Sequence, residues 1–481
     1  MFFKKLYCLL ILFQLFYGFC FSFENKRTVL SGKIIGNTSP ILYLAIDNIY
    51  DMNYKHIIID STKKNSNNYF RFDILLDSAG FYYLDDDNGN SISVFIEPND
   101  SLFVNLNYKK ELLTFNGIGK INNNYFSESY EEFKKDEEFY KKILKMKIME
   151  LFKFHDDIVN EKLKFFNEYF NGININPKLK KEVNLQILYG TATDIIYFAT
   201  ELQIRKLDTI DFKIFIKNLN DRFRLVNQNA IKSRSYRIYL ANYLSLLFLE
   251  WKTPQISNGI KLDGPSISKK FFEIAKSDFD EQIRDIAISH AIKTILSENS
   301  DHVILNLSKD FIKEFGNIAL DSNYLTPLLN QYNSKMLLSE GSNAIDFSVK
   351  DIHGTIIKLF ELRGKVVYLD FWGTWCRPCI QELPYSKKLI SEFKNKDIVF
   401  VFLAMENNNY NNWEKYVKKN KLGGIQIYLE SGWSNPICKK YLINSAPIYI
   451  LIDKKGDIFS SNAKRPSNPK LKKDIQKLLN E

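Results

Sequence analysis

The chain has 481 residues, of which 45% are hydrophobic and 25% charged, a composition that excludes a wholly disordered protein. At roughly 150 residues per domain, the length indicates about three domains. The formal net charge is +10, but the lysines are scattered among Asp and Glu, as in residues 131–150. A nucleic-acid-binding protein concentrates basic residues in a stripe or tail, so we expect no nucleic-acid partner.

The first 22 residues have the pattern of an export signal. A basic start precedes an apolar run from Leu6 to Phe21, and the small residues Cys20 and Ser22 fit a cleavage site after Ser22. The run is shorter than the roughly 20 residues of a typical membrane span, although helices of about 17 residues also cross. We therefore expect residues 1–22 to be a signal peptide or an uncleaved anchor, which places the protein in the periplasm or cell envelope.

Residues 24–120 have the pattern of a strand-rich domain. Phe70, Phe72 and Ile74 alternate with charged residues, which is typical of a strand with one buried face. Other short apolar runs are separated by Asn, Asp, Gly and Pro clusters, at 41–46, 56–60, 81–84, 92–96 and 102–106. Regular short strands with polar turns predict a small antiparallel β-sandwich.

Residues 121–335 show helical periodicity instead. Tyr140, Leu144, Ile148 and Leu151 are spaced four, four and three residues apart, which predicts a helix with one apolar face. Similar runs predict further helices, at 178–206, 210–227, 234–251, 268–278, 281–297 and 301–315. This part contains no chemical motif and is interpreted as an all-helical domain.

Residues 341–481 alternate between strand and helix patterns, which indicates an α/β domain. Strands are expected at 365–371, 398–403, 425–429, 448–452 and 458–460. Helices are expected at about 375–393, 411–420, 434–441 and 469–480. The complete fold class is thus multidomain α+β, with a β-sandwich, a helical middle and a C-terminal α/β domain.

The chemically informative motif is Cys376-Arg377-Pro378-Cys379, which opens a predicted helix directly after an apolar strand. Spacing of three residues puts both sulfurs on one face of the first turn, where the helix dipole stabilises a thiolate on Cys376. Arg377 adds positive charge, and Cys379 is placed to resolve a mixed disulfide. Cys438, the remaining cysteine beyond the leader, lies in a helix-like run and is predicted to be a buried small apolar residue.

The segment from Phe371 to Cys379 resembles the ResA/TlpA-like branch of the thioredoxin superfamily, which carries Phe-Trp-x-x-Trp-Cys-x-Pro-Cys. Glu382 and Pro384 match the Glu-x-Pro that follows, and the resemblance implies that Glu382 assists proton transfer. Pro447 matches the family's cis-proline, which faces the disulfide and contacts substrate.

Two further features accompany this resemblance. Asp370 matches the buried acid of ordinary thioredoxins, and we expect it to support Glu382 in managing the proton of Cys379. The resemblance also implies a set of substrate-binding residues, namely Trp375, Arg377, Pro378, Ala446 and Pro447. Residues 24–120 more loosely resemble the strand-rich domain that precedes such modules in some bacterial envelope proteins.

These observations predict an exported thiol–disulfide oxidoreductase with a redox-active Cys376–Cys379 disulfide and no other cofactor. The resemblance implies a reductive role towards envelope protein disulfides, such as those of apocytochromes c, and a membrane thiol reductase as electron donor. Contact with the membrane is expected only through a possible N-terminal anchor. The alternatives are a thiol peroxidase of the peroxiredoxin type and an envelope binding protein with a secondary redox domain.

Overall fold

The computed structural model describes residues 27–481, apart from 37–38, 53–54, 88, 109–111, 144, 205–208, 224, 300, 407–409 and 444. The signal peptide or anchor expected at residues 1–22 lies outside the described residues. Among the helices that the structure describes, none combines the length and the apolar character needed to cross a bilayer.

The N-terminal region is a β-sandwich. Its strands are β1 (Arg27–Ile35), β2 (Ile41–Asp47), β3 (His56–Lys63), β4 (Tyr69–Leu75), β5 (Gly80–Asp86), β6 (Ser91–Ile96), β7 (Ser101–Asn107) and β8 (Leu112–Ile118). They form two four-stranded sheets, ordered β4-β1-β7-β8 and β3-β2-β5-β6. Alternate side chains of both sheets, among them Leu30, Phe72 and Leu84, meet in one apolar core.

The expectation of a purely antiparallel sandwich is wrong at one position, because β1 and β7 pair in parallel. The other pairs within these two sheets are antiparallel in the described residues. A hairpin fixes the antiparallel direction only for the two strands that it connects, and β1 and β7 lie far apart in the chain. Alternation of apolar residues carries no information about the direction of such a pair.

The middle region is helical. Its helices are α1 (Lys120–Glu132), α2 (Glu137–Ile143), α3 (Ile148–Tyr169), α4 (Pro177–Ile204), α5 (Thr209–Arg222), α6 (Arg234–Ser257), α7 (Gly264–Ser277), α8 (Glu281–Glu298), α9 (His302–Ile318) and α10 (Leu325–Met336). They enclose a large apolar core that includes Leu240 and Leu244 of α6 and Ile292 of α8. Buried Arg237 of α6 forms an ion pair with Asp47 at the end of β2, which ties this region to the sandwich.

Two predicted helices begin at other residues than expected. Tyr140 lies on α2, whereas Ile148 and Leu151 lie on α3, which begins where the Lys147 N–H donates to Glu150 Oε2 at 2.9 Å; Leu144 lies outside the described residues. The run predicted at 268–278 starts earlier, since Asp263 accepts a hydrogen bond from the Ser266 N–H at 2.7 Å and caps α7. Both corrections concern capping contacts that apolar periodicity does not show.

The C-terminal region is a mixed α/β unit. Its strands are β9 (Ser348–Lys350), β10 (Ile356–Lys358), β11 (Val366–Trp372), β12 (Ile398–Met405), β13 (Ile425–Leu429), β14 (Ile448–Ile452) and β15 (Ile458–Ser460). Its helices are α11 (Arg377–Glu392), α12 (Tyr410–Lys419), α13 (Pro436–Lys440) and α14 (Pro469–Asn480). The short β9–β10 hairpin was not predicted, because three residues per strand give too little alternation to detect.

Strand β11 occupies the centre of a five-stranded sheet ordered β13-β12-β11-β14-β15. All its residues are buried, as expected for a continuous apolar strand covered on both faces. Tyr368 and Trp372 face one apolar cluster, whereas Leu369 and Phe371 face the other. Because β11 ends at Trp372, the motif that follows lies at the carboxyl end of the central strand.

Candidate active site

The two cysteines of the motif meet at the start of α11. Cys376 is the N-cap residue of this helix, and its sulfur is bonded to that of Cys379, with the two Cα atoms 5.2 Å apart. Both side chains are almost completely buried, with 4% of Cys376 and 2% of Cys379 exposed. The structure therefore brings the predicted pair together as a disulfide.

The backbone of the first helical turn provides the electrostatic environment of Cys376. Its Sγ atom accepts a hydrogen bond from the Cys379 N–H at 3.2 Å. After reduction, this donor and the positive end of the helix dipole favour the thiolate over the thiol. Pro378 interrupts no hydrogen bond here, because N–H groups of a first turn have no partner within the helix.

Exposed side chains surround this buried disulfide. Arg377 and Pro378 are exposed, and Trp375 has 52% of its surface exposed. The Trp375 indole N–H donates to the Met405 carbonyl at 2.8 Å, and its ring lies 5.5 Å from that of Trp433. Trp375, Arg377 and Pro378 thus form an exposed rim around the disulfide, in which a hydrogen bond holds the Trp375 ring in place. The substrate-binding role of these three residues stays a prediction.

The peptide bond between Ala446 and Pro447 is cis, the geometry that the resemblance implied. Strand β14 begins at the next residue, where Ile448 pairs with Phe371 of β11. The cis bond therefore lies beside the end of the strand that leads into the motif. Ala446 also packs against the apolar cluster that contains both cysteines, and contact of these two residues with substrate stays a prediction.

Both predicted carboxyl groups are buried near the motif, with 2% of Asp370 and 8% of Glu382 exposed. Burial, and then the nearby charge of Glu382, raise the pKa of Asp370 well above its ordinary value. Glu382 lies three residues after Cys379 in α11, which puts the two side chains on the same helix face. It accepts hydrogen bonds from the N–H and the hydroxyl of Ser467, each at 2.9 Å.

Three residues of this site were not predicted from the sequence, namely Glu406, Trp433 and Ser467. Glu406 is 4% exposed and accepts a hydrogen bond from the Thr374 N–H at 2.6 Å, and burial raises its pKa. An acidic residue directly after the long apolar strand β12 was a detectable signal for Glu406. Trp433 and Ser467 reach the site from distant segments, and no local pattern marks them.

Cys438 takes no part in this site. It is a free cysteine buried in the apolar cluster on the other face of the sheet, and burial raises its pKa to about 12. This confirms the prediction of a buried small apolar residue. In the part of the chain that the structure describes, no three His, Cys, Asp or Glu side chains are grouped as metal ligands.

A mixed sheet with a Cys-x-x-Cys disulfide after its central strand, and a cis-proline before the adjacent antiparallel strand, is the arrangement of a thioredoxin fold. A disulfide at this position exchanges electrons with thiols and disulfides of other molecules. The C-terminal region is therefore a thioredoxin-like thiol–disulfide oxidoreductase domain.

Comparisons with known proteins agree with this class. The AhpC/TSA family matches residues 341–460. Thiol-disulfide oxidoreductase ResA of Bacillus cereus is 31% identical over 138 residues, which cover 29% of this chain and 78% of that protein. ResA of Halalkalibacterium halodurans is 33% identical over 132 residues, or 27% of this chain and 71% of its own.

Among solved structures, the thioredoxin domain of a thiol-disulfide oxidoreductase from Bacteroides vulgatus is 27% identical, with a TM-score of 0.27. The match covers 30% of this chain and 99% of that one. Through its C-terminal residues, the chain belongs to the ResA-type thiol–disulfide oxidoreductase family. The AhpC/TSA match leaves the β-sandwich and the helical region unassigned.

Proposed function

We propose that this protein is an exported thiol–disulfide oxidoreductase that reduces disulfides of other proteins in the cell envelope. The observation that supports this function best is the position of Cys376 as the N-cap of α11, with its sulfur accepting the Cys379 N–H. Such a position favours an attacking thiolate at neutral pH.

In the proposed reaction, the Cys376 thiolate attacks one sulfur of a partner disulfide. The partner's other sulfur leaves as a thiolate, and a mixed disulfide remains. Cys379 then attacks the Cys376 sulfur, which releases the reduced partner and forms the Cys376–Cys379 disulfide. Glu382 accepts the proton of Cys379, and Asp370 supports it. A membrane thiol reductase restores the dithiol, and apocytochrome c disulfides are the proposed class of substrate.

The exposed rim is proposed to bind the peptide segment around the partner's disulfide. Aromatic and apolar surface at Trp375 and Pro378 provides contact area, and Arg377 provides charge. Ala446 and Pro447 contribute backbone at the neighbouring strand end. The pattern of residues 1–22 supports export to the periplasm or envelope, and an uncleaved anchor would keep the domain near its electron donor.

Insulin reduction in the presence of a small dithiol tests the proposed activity. We expect turnover by the wild-type protein and none by Cys376→Ser, because the serine hydroxyl cannot form a mixed disulfide. Cys438→Ala is the matched control and should retain activity, since Cys438 is remote from the reacting sulfurs. Activity that survives in Cys376→Ser would contradict the proposal, as would turnover of hydrogen peroxide instead of insulin.

The reduction potential of the Cys376–Cys379 couple tests the direction of electron flow. Equilibration with glutathione or dithiothreitol buffers should give a potential closer to about −270 mV, the value of thioredoxin, than to about −120 mV, the value of a strong oxidant. A potential at the oxidising end would reverse the proposed direction while leaving the exchange chemistry intact.

A further inference from the structure

The segment between β15 and α14, residues 461–468, crosses the face of the sheet that carries Asp370. The Ala463 N–H donates to the Tyr449 carbonyl, and the Tyr368 hydroxyl donates to the Lys464 carbonyl, both at 2.8 Å. Tyr449 is the strand partner of Asp370, and Tyr368 lies two residues before it. We call residues 461–468 the C-terminal strap.

Ser467 is the residue of the C-terminal strap that reaches the acidic pair. Its N–H donates to Glu382 Oε2 and its hydroxyl donates to Glu382 Oε1, each at 2.9 Å. Both carboxylate oxygens therefore have a donor from one residue located 85 positions away in the sequence. Hydrogen-bond donors of this kind stabilise the charged form of a carboxyl group.

Asp370 has the opposite environment. It is 2% exposed, and its Oδ1 has no hydrogen-bond partner among the described residues. Burial disfavours the charged form of a carboxyl group, the more so where an oxygen such as Asp370 Oδ1 has no donor to stabilise it. Two nearby buried carboxyl groups resist simultaneous ionisation, and hydrogen-bond donors favour the charge on the group that has more of them.

We propose that Ser467 is a positioning residue that fixes Glu382 as the charged member of the Asp370–Glu382 pair and so as the acceptor of the Cys379 proton. This inference rests on the proposed thiol–disulfide exchange. In the resolving step, the Cys379 proton moves to the Glu382 carboxylate and the Cys379 sulfur bonds to that of Cys376. The mixed disulfide breaks, and the bonding electron pair leaves with the partner's sulfur.

The resolving step can be measured separately with the small disulfide DTNB. Reduced protein releases a first thionitrobenzoate in a bimolecular step, when Cys376 attacks, and a second in a unimolecular step, when Cys379 resolves the mixed disulfide. The pH midpoint is the pH at which the second step reaches half of its maximal rate. We expect Ser467→Ala to raise this midpoint by about half to one pH unit, because the Glu382 carboxylate loses one donor. The first step should be unchanged.

Two further variants separate positioning from a general structural effect. Ser467→Thr restores the hydroxyl donor at an exposed position and should restore the wild-type midpoint. In a Glu382→Gln background, Ser467→Ala should cause no further shift, because its effect passes through Glu382.

An unshifted midpoint in Ser467→Ala, or the same shift with and without Glu382, would overturn the role of Ser467. Neither result affects the proposed function as long as both thionitrobenzoate steps occur. The proposed function itself fails if Cys376 reacts no faster than an ordinary thiol in the first step.

Discussion

Replacement of Asp370 tests the burial of its carboxyl group through the pH dependence of stability. In the unfolded chain its pKa is ordinary, about 3.9, whereas in the folded protein burial and the charge of Glu382 raise the pKa well above this. At pH values between these two pKa values, Asp370 keeps its proton in the folded state but has lost it in the unfolded state. The free energy of unfolding therefore falls as the pH rises, by about 1.4 kcal/mol per pH unit.

Asp370→Asn removes this titration while it keeps the size of the side chain. We expect the variant to gain stability relative to the wild type by about 1.4 kcal/mol for each pH unit above about 4, up to the raised pKa of Asp370. Urea unfolding at pH 5, 6, 7 and 8, followed by tryptophan fluorescence, measures the difference. Four of the five tryptophans lie after residue 341, so the signal reports mainly on this domain.

Ser386→Ala is the matched control for this experiment. Ser386 is 2% exposed in α11, and its hydroxyl does not titrate, so the variant should change stability by the same amount at every pH. A stability difference between Asp370→Asn and wild type that stays constant from pH 5 to 8 would refute the assigned environment of Asp370.

Three other substitutions test contacts elsewhere. Asp47→Ala removes the carboxylate that pairs with the buried Arg237, so urea denaturation should show a loss of about 3–5 kcal/mol in the free energy of unfolding. Glu406→Gln keeps an oxygen acceptor for the loop before Cys376 but removes a buried acid. Loss of a negative charge near Cys376 favours its thiolate. For an interaction of about 1 kcal/mol between the two charges, iodoacetamide at pH 7.5 should label Cys376 about fivefold faster. Trp433→Ala removes the half-buried ring that packs against exposed Trp375, so steady-state kinetics should show a raised KM for insulin and an unchanged rate with DTNB.

Each of these expectations has a contradicting result. Arg71→Met breaks an exposed ion pair and should leave the free energy of unfolding nearly unchanged. If Asp47→Ala changes this free energy equally little, the Arg237–Asp47 pair stabilises the fold no more than an exposed pair does. Labelling of Glu406→Gln at the wild-type rate would mean that this acid does not act on Cys376. An unchanged insulin KM in Trp433→Ala would show that packing of Trp433 against Trp375 does not contribute to substrate binding.

Local sequence patterns were sufficient where the structure depends on neighbouring residues. The central strand was expected at 365–371 and is found at Val366–Trp372, and the last helix, expected at 469–480, is found at Pro469–Asn480. The disulfide followed in the same way, because the spacing of Cys376 and Cys379 alone places both sulfurs on one face of a helical turn. Burial of Cys438 was predicted from its place in a helix-like run.

Local sequence patterns could not predict contacts between distant segments of the chain. The parallel pairing of β1 with β7 depends on how the chain returns between them, and apolar alternation is the same for either direction. The hydrogen bond from the Thr374 N–H to Glu406 joins residues 32 positions apart. Thr374 lies within the motif and Glu406 directly after an apolar strand, but local patterns do not show that the two residues meet.

By itself, the sequence determined the cysteine pair and its position at the start of a helix, since the spacing of the pair and the apolar strand before it are local features. The tertiary structure decided the surroundings of the two carboxyl groups near that pair. Asp370, Glu382 and Ser467 come from a strand, a helix and a C-terminal segment, and only folding provides the burial of both acids and the donors that Ser467 gives to Glu382.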